Sequence, residues 1–142
     1  MRRFILILFF SATLSLSAVT QSNDAVKQYI DTYKELAINE ELRVGVPAAI
    51  TLAQGILESE AGQSELSIAS NNHFGIKCKS EWTGATVRHD DDAKKECFRS
   101  YPTVEDSYRD HSDFLKSRPY YASLFRLDPS DYRSCFLQHQ AW

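Results

Sequence analysis

The 142-residue chain has only 5 glycines, 4 prolines and a single methionine. That scarcity, set beside 7 tyrosines and 8 phenylalanines, excludes a collagen-like or low-complexity disordered chain. It has no excess of positive charge: 16 Lys and Arg stand against 19 Asp and Glu, a net charge of −3. Arg2 and Arg3 fall in a leading segment without acids, so the rest of the chain is more acidic still, without the basic footprint of a nucleic-acid binder. Cysteine is sparse too. Cys78, Cys97 and Cys135 form no CxxC pair and have no histidine at ligand spacing, which argues against a zinc site. His73, His89, His111 and His139 show no metal-binding spacing either, so no metal and no cofactor is expected.

One apolar run is present. Phe4 to Phe10 follow Arg2 and Arg3 and fade through small residues to Val19, the pattern of an export signal over residues 1–20, cut after Ser17 or Thr20. The run is short for a membrane span, and no later segment is long enough, so no stable membrane insertion is expected after signal removal. Roughly 120 residues remain, enough for one domain with a core of its own. In an oxidising compartment three cysteines permit one disulfide and leave one thiol over.

Val26, Tyr29, Ile30, Tyr33, Leu36 and Ala37 recur at helical spacing, predicting an amphipathic helix from an Asn23 or Asp24 cap to about Arg43. Gly45-Val46-Pro47 interrupts the chain and starts a second helix, Pro47 to about Ala61, apolar enough to lie buried at the centre of the domain, with Gly62 placed to end it. A polar stretch to Asn72 follows. The period then shortens: Phe74 to Cys78, Thr83 to His89 and Glu96 to Tyr101 read as short strands, with residues 90–95 suited to a hairpin tip. If these strands pair, a Cys78–Cys97 disulfide would staple a small sheet. Val104, Tyr108, His111 and Leu115 restore helical spacing up to Pro119, and a last short helix covers Tyr120 to Phe125. The fold class is therefore α+β, in two unequal lobes.

On the second helix, Glu58 has Thr51, Gln54, Gly55 and Ala61 as wheel neighbours, all small or polar. A carboxylate at the end of a buried helix beside such residues can line a cleft with its pKa raised by desolvation, as can Glu60; the plain alternative is a solvated glutamate near a helix end.

The run from Gln54 to Gly62 (Gln-Gly-Ile-Leu-Glu-Ser-Glu-Ala-Gly), followed by Ser70 to Lys77 (Ser-Asn-Asn-His-Phe-Gly-Ile-Lys), resembles glycoside hydrolase family 73, the bacterial β-N-acetylglucosaminidases of autolysins and flagellar peptidoglycan hydrolases. The likeness continues through Trp82-Thr83-Gly84, Phe98-Arg99-Ser100-Tyr101, Ser107 to His111 and Arg118 to Tyr121, covering about residues 25 to 133. It implies a lysozyme-like fold, a helical lobe and a small β-lobe enclosing a glycan cleft. It also implies cleavage of β-1,4 bonds after N-acetylglucosamine in peptidoglycan by a monomer, with no nucleic acid as partner. Glu58 matches the family's general acid, the proton donor a poor leaving group requires. A second acid on the β-lobe would activate water or stabilise charge; of Asp90, Asp91 and Asp92, the resemblance favours Asp91 or Asp92, against simple solvation at a hairpin tip. Asn71 and Asn72 are expected to bond either loop backbone or a sugar acetamide. Phe74, Tyr101 and Tyr120 are expected either to stack on sugar rings or to build the core and cleft wall.

The resemblance fades at the carboxy-terminus. Family members continue through a helix to a Gly-Tyr-Ala motif and a later active-site tyrosine, whereas here the chain reads Cys135 to Trp142. The expected organisation is a signal peptide over 1–20, a glucosaminidase-like domain over 24–134 and an atypical short tail over 135–142. The expected activity is exported peptidoglycan hydrolysis, and the alternative is a truncated glycan-binding remnant of the same family.

Overall fold

The computed structural model describes residues 13–121, with side chains from residue 23 onward and without that of Tyr120. The start of the export signal, Cys135, the tail and the expected helix beyond Tyr121 lie outside the described residues.

Helix α1 spans Thr13–Val44. It starts well before the expected cap at Asn23 or Asp24, because residues 13–22 contain no proline or glycine to break it. Gly45, at φ +91°, ends it in the left-handed conformation and donates its N–H to the Glu41 carbonyl at 2.8 Å. Pro47 caps α2, Ala48–Glu58, and the Glu41 carboxylate accepts from the Ala48 N–H at 2.8 Å, satisfying a helix-end donor from the preceding helix. Two expectations for α2 are corrected. It ends at Glu58, short of Ala61, because Glu60 and Ala61 take positive φ and turn the chain away. It is buried along one face only, through Ile50, Thr51 and Gly55, while Leu57 is 73% exposed.

The polar stretch holds an unforeseen short helix, α3, Glu65–Ser70, capped by the Ser64 side chain and closed by Asn71 in the left-handed region. Strands β1, Thr86–His89, and β2, Glu96–Arg99, pair antiparallel with Val87 opposite Phe98 and Arg88 opposite Cys97. Residues 90–95 form the expected hairpin tip. The stretch from Phe74 to Cys78 is reduced to a single bridge, Lys77 to Phe98. Beside it a Cys78–Cys97 disulfide joins the segment to β2. Helix α4, Val104–Ser117, opens with a capping box between Thr103 and Asp106, and a 3-10 turn follows over Pro119–Tyr121.

Ala37, Phe74 and Tyr108 form one buried cluster, flanked by Tyr33, Leu36, Ala48, Leu52, Ile76 and Val104; Val44, Val46, Leu115 and Tyr121 form another. Arg43 ties α1 to α4, pairing with Glu40 and Asp113, each at 2.6 Å. The helices thus make one lobe and the stapled hairpin the other, an α+β fold.

Candidate active site

Glu58 is the last residue of α2, and the chain departs from it along a turn built on Ser59. Ser59 is fully buried; its hydroxyl donates to the Gly55 carbonyl and accepts from the Gly62 N–H at 2.8 Å. The Ala61 N–H returns to the Ile56 carbonyl at 2.8 Å, and the Ser64 N–H to that of Ser59 at 3.0 Å. The residues carrying positive φ, Glu60 and Ala61, are therefore held by hydrogen bonds on both sides.

Beneath this turn lies a polar chain inside the apolar core. The Tyr108 hydroxyl donates to that of Tyr29 at 2.9 Å, and Tyr29 lies 2.9 Å from His73 Nδ1. Burial holds His73 neutral, lowering its pKa from 6.5 to about 4, and raises that of Tyr29 to about 12. His73 is thus a core histidine, and His111 stacks on Phe74 at 4.0 Å.

The loop after α3 supplies the other side of the site. Gly75 takes φ +58°, and a Cβ built there would lie 3.7 Å from Glu58 Oε2, so the carboxylate rests against bare backbone. Asn72 holds this loop. Its Nδ2 donates to the carbonyls of Ile76 and Arg99 at 3.0 and 2.9 Å, and its Oδ1 accepts from the Ile76 N–H at 3.0 Å. Asn71 donates to the carbonyls of Tyr101 and Pro102 at 2.9 and 3.2 Å. Both asparagines bond backbone, the first of the two expected readings. Phe74 and Tyr101 are 8% and 6% exposed. Phe74 is committed to Tyr108 and His111, and Tyr101 to Trp82 and to the Asp110 carboxylate, which accepts from its hydroxyl. Both belong to the core and cleft wall. Tyr120 lies in the 3-10 turn, its side chain outside the described residues.

Glu58 has a raised pKa, first because partial burial penalises its charge and second because Asp91, on the hairpin tip, repels it. The two carboxylates come from opposite lobes, Glu58 from the end of α2 and Asp91 from the hairpin tip. Of the tip residues, Asp90 accepts from the Lys95 N–H at 2.7 Å and serves the turn, whereas Asp92 points to solvent, its side chain 90% exposed. Carboxylate oxygens of Asp91, Asp92 and Glu96 lie within 4.8 Å of one another. The Lys77 ammonium stands among them and supplies the positive charge such a cluster needs.

Sequence reasoning missed Tyr29, Ser59, Lys77 and the buried Arg99, which pairs with Asp110 at 2.9 Å and stacks on Trp82. Tyr29 was legible only as part of the helical periodicity, and Ser59, Lys77 and Arg99 only as members of the motif runs; the partners of Tyr29, Lys77 and Arg99 lie 11 or more residues away.

The family described as "Glucosaminidase: Mannosyl-glycoprotein endo-beta-N-acetylglucosaminidase" matches residues 34–141. The chain belongs to the glucosaminidase family. Among its relatives, the peptidoglycan hydrolase FlgJ of Vibrio parahaemolyticus is 33% identical over 114 residues, covering 72% of this chain and 37% of that protein. The exo-glucosaminidase LytG of Bacillus subtilis is 31% identical over 122 residues, covering 86% of this chain and 42% of that protein. The chain thus spans well under half the length of these two relatives. In structure it is similar to the glycoside hydrolase domain of Salmonella typhimurium FlgJ, with a TM-score of 0.68 and 26% identity over 81% of this chain and 74% of that one. The catalytic domain of the Listeria monocytogenes autolysin Auto shares the fold, with a TM-score of 0.69 over 94% of this chain and 85% of that one. The glucosaminidase fold is thus lysozyme-like, here with its β-lobe stapled by a disulfide.

Proposed function

We propose that this glucosaminidase-family chain is an exported peptidoglycan hydrolase that cleaves β-1,4 glycosidic bonds after N-acetylglucosamine, with Glu58 as general acid. The observation that carries this reading is the raised pKa of a carboxyl set at a helix end between two lobes, with Asp91 opposite. A general acid must hold its proton near the working pH, and partial burial with a neighbouring negative charge shifts Glu58 in that direction. Asp91 takes the second role, assisting water or stabilising the oxocarbenium-like transition state. It is preferred to Asp92 because it is the tip residue that acts on Glu58.

Glycan strands are the substrate in this reading, and a cell-wall substrate places the enzyme outside the cytoplasm. The names of the FlgJ and LytG relatives support both the hydrolase class and the sugar. Asn71, Asn72, Phe74 and Tyr101 then shape the site from behind, holding the loop that carries Gly75 and the wall that carries Arg99.

The test is release of new reducing ends from purified peptidoglycan by the parent chain and by Glu58→Gln. Turnover in the parent should fall roughly 100- to 10,000-fold in the variant, the range of a lost general acid. Equal turnover in both would sink the assignment of Glu58. A folded chain that binds sacculi without turnover in either form would instead identify a glycan-binding remnant.

A further inference from the structure

Lys77 lies on the one short segment that touches both halves of the site. On one side, Gly75 lies against the Glu58 carboxylate and Asn72 fixes Ile76. On the other, the segment is sewn to β2: the Cys78 N–H donates to the Cys97 carbonyl at 2.8 Å, and the Arg99 N–H to the Ile76 carbonyl at 2.9 Å. The disulfide closes the same junction. The Lys77 backbone is therefore anchored, while its ammonium reaches Asp91 at 3.2 Å, Asp92 at 3.2 Å and Glu96 at 3.0 Å.

We propose that Lys77 is a positioning residue that holds Asp91 opposite Glu58 by clamping the hairpin tip to the floor of the site. The inference rests on the assignment of Glu58 and Asp91 above, and Lys77 acts through Asp91, without contact with the glycan. The physical need is plain. Three carboxylates drawn together at a hairpin tip repel one another; the tip's own N–H groups engage the carboxylates of Asp90, from Lys95, and Glu96, from Ala93, while the Asp91 carboxylate meets Lys77. An ammonium offers three donors, and here each meets a different carboxylate. Lys77 also runs past the Phe98 ring, its Nζ 5.8 Å from the centroid, so its stem is braced against β2.

The sign of one shift separates a clamp from a mere neighbouring charge. If Asp91 stays in place without Lys77, Glu58 keeps its neighbouring anion and its titration midpoint does not fall. If Asp91 swings away, Glu58 loses a nearby anion and the midpoint falls. The experiment is carboxyl-detected NMR titration of Glu58 in the parent, Lys77→Met, Lys77→Arg and Asp91→Asn, alongside kcat and KM on peptidoglycan. The expected result is a lower Glu58 midpoint in both Asp91→Asn and Lys77→Met. In Lys77→Met, kcat should fall roughly 100-fold, the scale of a misplaced catalytic group. KM should stay within about twofold, as for an interaction made only in the transition state. Lys77→Arg should restore most of both. A midpoint that does not fall in Lys77→Met, or an unchanged kcat, would overturn the proposal. Should Lys77→Met not fold, Lys77→Gln carries the same comparison. Failure of the functional reading looks different: turnover would be absent from the parent or indifferent to Glu58→Gln, while the NMR midpoints would still decide the role of Lys77.

Discussion

Gly55 shows how one residue's missing side chain makes the site possible. In a helix interior glycine costs about 0.5–1 kcal/mol relative to alanine, so propensity alone favours replacing it. A Cβ at this position would stand 2.4 Å from the Tyr29 hydroxyl, which also meets Tyr108 and His73. Overpacking of that kind costs about 1–3 kcal/mol and outweighs the gain in propensity. Gly55→Ala is therefore expected to lower the melting temperature, and Tyr29→Phe, by removing the obstructing oxygen, to make the double variant less unstable than the sum of the singles. An unchanged melting temperature in Gly55→Ala would refute the packing argument. Glu58 follows the same logic: a helical wheel shows it among small residues, but only the folded surroundings, partial burial first and then the Asp91 charge, raise its pKa.

At the scale of elements, the hairpin is the part least able to stand alone. Its two strands are four residues each, and an isolated two-stranded ribbon is marginal in water. The Cys78–Cys97 disulfide closes a loop with a sequence separation of 19, which in the chain-entropy model is worth about 3 kcal/mol. Reductant, or the double replacement of Cys78 and Cys97 by Ser, should lower stability by about that amount. The loss should show first as faster hydrogen exchange in β1 and β2, with α4 protected for longer because its capping box and buried face are independent of the staple. Equal acceleration in α4 and the hairpin would show instead that the two lobes open as one unit.

Across the whole molecule, two groups shift acid stability in opposite directions, the buried His73 and the partly exposed Glu58. His73 is held at about 4 against an ordinary 6.5, so between those values the unfolded chain binds a proton that the folded chain refuses. Stability from His73 is thus complete above about 6.5 and is lost as pH falls towards 4. Glu58, with its pKa raised, works the other way: its contribution is present at low pH and is lost as pH rises through its folded value. Denaturant unfolding measured in a Glu58→Gln background isolates the histidine. There, stability should decline from pH 6.5 to 4, and His73→Asn, which keeps an acceptor for Tyr29, should flatten that decline. A slope unaffected by His73→Asn would mean that other groups carry the acid sensitivity.

By itself, the sequence determined most of the elements, the hairpin with its acidic tip and the cysteine pair, because periodicity and turn chemistry are properties of neighbouring residues, while Glu58 as the candidate acid came from the family resemblance of its motif. It misjudged where a helix stops. The start of α1 at Thr13 and the end of α2 at Glu58 depend on what the chain meets on either side, and for α2 that is the buried Ser59 turn. It missed α3, whose signals are a Ser64 cap and a left-handed Asn71 in a stretch too short for periodicity. Only the tertiary structure set the Asp91 charge against Glu58, bonded Asn72 to backbone 27 residues away, and brought Lys77 to three carboxylates. Such choices rest on charge and hydrogen bonds acting through space, and separation along the chain carries no record of them.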